Sequence, residues 1–373
     1  MSFSFSFSGD DIEAEPAPPQ DSLPLGAAHA PSAASAFPVQ GKPQLPPTTH
    51  DLSQMLAALP SKIAYSLLEV DLDGRAMVQI PRRELWDVRV QLMAEDDGEN
   101  CSEEVEPGLG NHDVKTGIYE GGFKSWESSV DLVKVLAAEG FSRSLTEGPS
   151  RVIELGCGTA LPSLALFQWA IAERVQVREA SKELDPLCLT LADYNPSVLR
   201  LVTMPNFLLA WALHQQSHDE VLQAALTSIE GELEINEHVV GSFTRFLASS
   251  GITLSFVSGG WSSEFVDLLY GGSSAVPSGH ATGQTLVLGA ETIYSPFALN
   301  SFTETLLSIL QREHDSHPDR QANAIVAAKR LYFGVGGSLD DFVDKIQKLG
   351  VAVGMVREET EGVRRGVVRC SLP

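Results

Sequence analysis

The chain has 373 residues, enough for one large domain or two ordinary ones and for a sizeable buried core. Hydrophobic residues make up 43% and charged residues 20%, close to globular averages, so the chain as a whole does not read as disordered. Asp and Glu number 49 against 26 Lys and Arg, a formal charge of −23, which argues against a basic face that wraps nucleic acid and fits a soluble protein with a basic partner.

Residues 1–50 hold nine of the 21 prolines, many Ala and Ser, and one Lys. Such a segment buries too little apolar surface to offset its ordering entropy, and it reads as a disordered tail. Its first eleven residues alternate Ser and Phe, a pattern that a floppy terminus and a strand added to a sheet edge would share. Asp51 is placed to cap a short helix, Leu52 to Leu59, stopped by Pro60. Ile63 to Asp71, the turn at Asp73-Gly74, and Ala76 to Ile80 read as a β-hairpin. Leu85 to Met93 fits helix or strand equally. Glu95 to Glu106 carries seven acids and no base, as a solvated loop does. These pieces form an expected N-terminal extension, residues 51–114.

From Arg151 the pattern alternates strand and helix, which predicts a mostly parallel, doubly wound α/β sheet. The predicted strands are Arg151 to Leu155, Leu187 to Asp193, Ile252 to Ser258, Thr285 to Gly289 and Ala324 to Ala328. Predicted helices start near Leu161 and after Asn195-Pro196, and span about Ser295 to Gln311 and Leu339 to Leu349. Ala172 to Asp185 looks like an extra charged excursion. Between Arg200 and Arg245 there is no Lys or Arg, and six acids lie between His214 and His238, an acidic insertion in a helical region. Gly271 to Gly283 reads as a Gly/Ser loop, and Ala352 to Val356 with Val367 to Cys370 as a closing antiparallel hairpin.

No run of about 18 apolar residues is evident, so no membrane helix is expected. The first Lys or Arg is Lys42 and no apolar core follows Met1, so no secretory signal is expected either. Cys101, Cys157, Cys188 and Cys370 are few and scattered, without disulfide or zinc spacing, which fits a reducing cytosolic or nuclear home. The nine histidines show no metal spacing.

The sharpest local signal is Val152 to Thr159, a buried strand that runs into Gly156-Cys157-Gly158 and opens a helix. Glycines there let backbone approach a ligand, although a tight strand–helix turn without a ligand uses the same residues. The third glycine of a dinucleotide fingerprint is missing, because position 161 is Leu161. Asp193 ends the second strand, where an acid can hold ribose hydroxyls or cap the next helix. Gly260-Trp261 follows another strand, and the indole could cover an adenine or simply pack. Glu291 sits past a further strand end. In open α/β sheets the ligand crevice lies outside those carboxyl ends. Lys124 and Lys329 read as surface charges, and the glycines of Tyr332 to Gly337 as shaping a substrate-side loop.

Four stretches resemble protein-histidine N-methyltransferases. They are Gly117-Ile-Tyr-Glu-Gly-Gly-Phe-Lys-Ser-Trp-Glu-Ser-Ser-Val-Asp-Leu-Val133, Asp193-Tyr-Asn-Pro-Ser-Val-Leu-Arg-Leu-Val-Thr203, Glu291-Thr-Ile-Tyr294 and Ala328-Lys-Arg-Leu-Tyr-Phe-Gly-Val-Gly-Gly337. The start of the chain and Pro81 to Glu95 resemble the fungal members. The resemblance covers most of the chain from Asp51. It implies a seven-stranded, Rossmann-like methyltransferase domain over 115–373 that uses S-adenosylmethionine. It further implies that Ser125, Trp126, Glu127, Ser128 and Ser129 line the cofactor pocket and that Gly156 and Gly158 pass under the methionine part. Ala192, Asp193 and Tyr194 would meet the ribose, Gly260 and Trp261 would flank the adenine, and Ala290 would form the floor. Two positions depart from the family pattern: relatives have an acid at Gly260 and tend to have Gln at Ala192.

The implied activity is histidine methylation of a large-subunit ribosomal protein, a basic partner, in cytoplasm and nucleus, with no direct nucleic-acid or membrane binding. Glu127 or Glu291 is the candidate to accept the second imidazole proton. A lysine methyltransferase on the same fold, or a catalytically silent ribosome-assembly module, would share these features.

Overall fold

A computed structural model describes residues 12–13, 44–95, 114–115, 121–145, 148–179, 184–227, 231–271, 283–332 and 337–373. Most of the expected tail, the acidic loop after Glu95 and the Gly/Ser stretch 272–282 lie outside the described residues.

Strand β1 (Thr48–His50) precedes helix Leu52–Ala57, whose first turn is capped by Asp51 accepting the Gln54 amide. β2 (Lys62–Asp71) and β3 (Met77–Arg83) form the predicted antiparallel hairpin. Leu85–Glu95 is a helix. Arg83, at the end of β3, pairs with Asp87 in its first turn, and Gln91 donates to Glu95 one turn further along the helix. Helix Glu127–Ala138 leads to β4 (Ser150–Leu155) and β5 (Leu187–Asp193), every residue of which is buried, as parallel strands covered on both faces require.

The charged stretch from Ala172 is no excursion: helix Leu161–Glu179 runs through its first half. Arg174 is buried there, donating to the carbonyls of Ser250 and Asp185 at 2.5 and 2.7 Å. A charged side chain bonded inward in this way interrupts the apolar periodicity that marks a helix.

Pro196–Val198 opens a helical run that passes through a π-helical turn, Leu199–Thr203, into helix Met204–Gln215. Contrary to the sequence expectation, Pro196–His218 is long and apolar enough to cross a membrane by length and composition. Most of it is buried inside the protein, as for a core helix that is apolar on all sides. The acidic insertion then contributes β6 (Glu232–Glu234), which pairs with β2 and carries the Lys62–Glu232 ion pair at 2.7 Å. β7 (Ile252–Ser258), β8 (Gln284–Ala290), β9 (Gln321–Lys329), β10 (Ala352–Glu359) and β11 (Arg365–Ser371) complete the chain, with helices Pro296–Ser316 and Leu339–Lys348 between them.

The central sheet has eight strands in the order β10-β11-β9-β8-β4-β5-β7-β1. β9, β8, β4, β5 and β7 are mutually parallel, and β10 and β11 form the predicted antiparallel hairpin. These seven strands are the expected doubly wound set. β1 is an eighth, antiparallel to β7. By composition residues 48–50 belong to the tail; they order because the β7 edge offers unpaired backbone groups.

Alternate strand residues face opposite ways. Val152, Leu286 and Leu288 join one apolar cluster with Leu132, Phe207 and Trp211, while Ile153, Leu155 and Val287 join a second with Phe302 and Phe342. Ile63, Val70 and Ile80 of the hairpin belong to the first cluster, so the hairpin shares the core of the large sheet.

Candidate functional site

A cavity opens outside the carboxyl ends of β4, β5, β7, β8 and β9, the place a ligand takes in an open parallel sheet. Its floor is the turn after β4. Gly156 and Gly158 both have left-handed φ, +63° and +51°. A Cβ on Gly156 would lie 2.7 Å from Thr292 Cγ2, and one on Gly158 would lie 3.0 Å from the Gly122 carbonyl oxygen. The glycines are therefore demanded first by the protein's own packing, and the ligand approach that the sequence suggested is a consequence of the same tight turn.

Three buried side chains fix that turn. Asp193, at the end of β5, accepts from the Gly158 amide (2.9 Å) and, through its other oxygen, from the Asn195 amide (2.9 Å). Burial pushes its pKa up to about 6, and those two amides oppose the rise. Thr203, in the π-turn, donates to the Gly158 carbonyl, and Asn206 donates to the Thr159 carbonyl at 3.1 Å. The Asn206 side-chain oxygen Oδ1 in turn accepts the Arg83 backbone amide at 2.8 Å, which ties the N-terminal hairpin to the floor of the cavity. Thr203 and Arg83 fall inside stretches that carry the family resemblance, but nothing in the sequence gives them, or Asn206, this task. A π-turn inside a helix is a recurrent mark of a functional site, but it has no sequence signature here.

At one end of the cavity stand Trp126, Glu291, Lys329 and Tyr332. Glu291 is half-buried and carries a left-handed φ of +57°, a costly conformation for a side chain of its kind. The Ser128 hydroxyl donates to one of its oxygens and the Tyr332 hydroxyl to the other, the latter at 2.6 Å. Burial raises its pKa, opposed by the nearby Lys329 charge and these hydroxyls. The Lys329 ammonium lies 4.9 Å from the Trp126 ring centre, so Lys329 is part of the wall and not a free surface charge. Lys124 also lines the wall. At the other end Tyr194, Gly260 and Trp261 meet the segment that begins at Gln44. The Trp261 Nε1 and the Thr292 hydroxyl are buried without a hydrogen-bond partner among the described residues.

Of the residues expected at a cofactor site, Trp126, Ser129, Gly156, Gly158, Asp193, Tyr194, Gly260, Trp261 and Ala290 come together on this wall. Ser125, Glu127, Ser128 and Ala192 do not. Ser125 lies behind it, 2.9 Å from the Thr159 hydroxyl, and Ser128 acts through Glu291. Ala192 packs its methyl into the second apolar cluster and holds the turn through its carbonyl, which accepts the Cys157 amide at 2.9 Å. Glu127 is bound to Arg365 (2.8 Å), which also bonds Asp131 (2.6 Å), so of the two candidate carboxylates only Glu291 reaches the cavity. Most of the substrate-side loop expected at 332–337 lies outside the described residues.

No family model matches the chain. Over 324 residues it is 34% identical to histidine protein methyltransferase 1 of Schizosaccharomyces pombe, spanning 85% of this chain and 83% of that protein. Over 338 residues it is 33% identical to histidine protein methyltransferase 1 of Saccharomyces cerevisiae, spanning 86% and 84%. Among solved structures, the glycopeptide N-methyltransferase MtfA complexed with S-adenosylmethionine is similar at 11% identity and a TM-score of 0.27, over 64% of this chain and 94% of that one.

Proposed function

Because the chain belongs to the histidine protein methyltransferase family, we propose that it is an S-adenosylmethionine-dependent enzyme that methylates a histidine of a large-subunit ribosomal protein. The observation that carries this reading is the single cavity wall that joins Asp193, the glycine turn and Trp261 to the half-buried Glu291. The residues fit the cofactor. Asp193 offers a buried carboxylate to ribose hydroxyls, Trp261 a flat face to a purine, and Trp261 Nε1 and the Thr292 hydroxyl are buried polar groups still lacking partners among the described residues.

When bound, S-adenosylmethionine supplies a methyl group on a positively charged sulfur. The protein's own task is then orientation and exclusion of water, which can supply much of a rate enhancement. A histidine side chain needs little activation, since imidazole is mostly neutral above its ordinary pKa of about 6.5. It does need one ring nitrogen held toward the methyl group. Glu291 is suited to accept a hydrogen bond from the other ring N–H. Its carboxylate is pinned by Ser128 and Tyr332, yet each oxygen retains a second lone pair. Tyr294, Phe297 and Ser301, on the turn after Glu291 and the first turns of helix Pro296–Ser316, also line the cavity and are within reach of a substrate side chain.

A formal charge of −23 favours encounter with a basic ribosomal protein, and the buried free thiols Cys157, Cys188 and Cys370 suit a reducing cytosolic or nuclear compartment. The test is to incubate the purified protein with S-adenosylmethionine and large-subunit ribosomal proteins and to map the product by mass spectrometry. Methyl-histidine on one such protein is the expected result. Methyl-lysine would move the assignment to the rival chemistry, and cofactor binding without any methylation to a silent module.

A further inference from the structure

Gly259 and Gly260 close β7, and the chain segment Gln44 to Pro47 lies directly on them. A Cβ on Gly259 would meet the Pro46 carbonyl oxygen at 2.5 Å and Pro47 Cα at 2.9 Å. A Cβ on Gly260 would meet the Gln44 side-chain oxygen at 2.9 Å and Gln44 Cβ at 3.3 Å. Gly259 has a left-handed φ of +110°, which alone favours glycine; Gly260 does not. The Gln44 side chain thus fills the space that a side chain at 260 would take, and would have to move for one to enter.

The segment is held on both sides. The Gly260 amide donates to the Leu45 carbonyl at 2.9 Å, and the Leu45 amide donates to the Tyr194 hydroxyl at 3.1 Å. β1 then pairs with β7, where His50 Nε2 and the Ser258 hydroxyl are 2.7 Å apart. Gln44, Gly260 and Trp261 share the cavity wall one strand beyond Asp193. A nucleoside whose ribose sits at Asp193 and whose base extends away from Glu291 places the base between Trp261 and Gln44.

We propose that Gln44 is a nucleobase-reading residue, its side-chain amide hydrogen-bonding the polar edge of the adenine. This rests on reading the cavity as an S-adenosylmethionine site. A primary amide presents a donor and an acceptor side by side, which matches the amino group and an adjacent ring nitrogen of adenine. A carboxylate in the same place would satisfy the amino group alone.

The experiment measures binding by calorimetry, with S-adenosylhomocysteine and its analogue lacking the purine 6-amino group as probes. Wild type should prefer the adenine ligand by roughly tenfold, the value of one or two hydrogen bonds of this kind. Gln44→Ala should lose most of that preference and bind both probes with similar, weaker affinity. Gly260→Ala, whose methyl displaces the Gln44 amide, should do the same without altering Gln44 itself. Melting temperatures within about 2 °C of wild type would show that both variants keep the fold; Gln44→Glu, which retains an acceptor, replaces any variant that does not, and should keep part of the preference. If wild type binds adenosylhomocysteine and Gln44→Ala keeps the full preference, the role of Gln44 is overturned while the cavity assignment stands. If wild type binds neither probe, the cavity assignment itself falls.

Discussion

The Thr203 hydroxyl donates to the Gly158 carbonyl oxygen at 2.6 Å, across 45 positions of sequence. The π-turn Leu199–Thr203 brings that hydroxyl to the floor of the cavity. Thr203→Val keeps the shape and removes the donor, so a buried carbonyl loses this partner at a cost of about 1–3 kcal/mol. We expect a lower melting temperature and weaker S-adenosylhomocysteine binding, with Thr203→Ser restoring both. Calorimetry that gave wild-type affinity for the valine variant would show that the turn does not depend on this bond.

Asp193 has two tasks that a substitution separates. Its carboxylate holds the Gly158 and Asn195 amides, and it faces the cavity. Asp193→Ala leaves both amides unpartnered and removes the charge, and should weaken S-adenosylmethionine binding by roughly ten- to a hundredfold while lowering stability. Because burial holds its pKa near 6, wild-type affinity for the positively charged cofactor should fall as pH drops through about 6. Asp193→Asn should be weaker throughout and flat across that range. A wild-type titration flat from about pH 5 to about pH 8 would contradict the assignment.

The alternation of strand and helix after Arg151 is legible in the sequence because β4, β5 and β8 are short apolar runs bounded by turn residues. The strand ends are legible for the same reason, so the sequence alone is enough to set Gly156, Asp193 and Trp261 beside one another. What is not legible depends on distant partners. β6 is three residues long and exists through pairing with β2, some 170 positions away. β1 and Gln44 sit in a proline-rich stretch whose composition reads as tail, and pairing with the β7 edge and contacts with Gly260 and Tyr194 order them. Glu127 and Glu291 look equivalent in the sequence. They differ because Arg365, on the last strand, claims one of them.

That difference gives a paired prediction. Glu291→Gln should lower kcat by at least about a hundredfold, the usual range for a lost proton acceptor, while S-adenosylhomocysteine affinity stays within about twofold. Glu127→Gln loosens the Arg365 contact and should lower the melting temperature by a few degrees, with kcat within about threefold of wild type. Steady-state kinetics with equal losses for the two variants would mean that Glu291 is not the group that meets the substrate.

The last prediction concerns pH and stability. Glu154 lies in β4 and accepts the Ser163 amide at 3.0 Å, at the start of helix Leu161–Glu179. Burial pushes its pKa up to about 7 from 4.5; the Ser163 amide opposes the rise and the Asp193 charge adds to it. Asp193 itself is raised from 3.8 to about 6. A carboxyl whose folded pKa lies above its unfolded value binds its proton more tightly in the folded state. Its stabilising contribution is complete below the unfolded pKa and is lost as pH rises through the folded one. For Glu154 that window runs from about 4.5 to about 7. Self-repulsion of a chain with a formal charge of −23 also grows with pH, in wild type and variant alike, so the informative quantity is the difference between them. Glu154→Gln is neutral at every pH and still offers an oxygen to Ser163. Its melting temperature should match wild type near pH 5 and exceed it by several degrees near pH 8, with the gap opening mainly between about pH 5 and about pH 7. Melting curves that run parallel over that range would show that Glu154 is ionised in the folded protein without penalty, and that its bond to the helix start outweighs its burial.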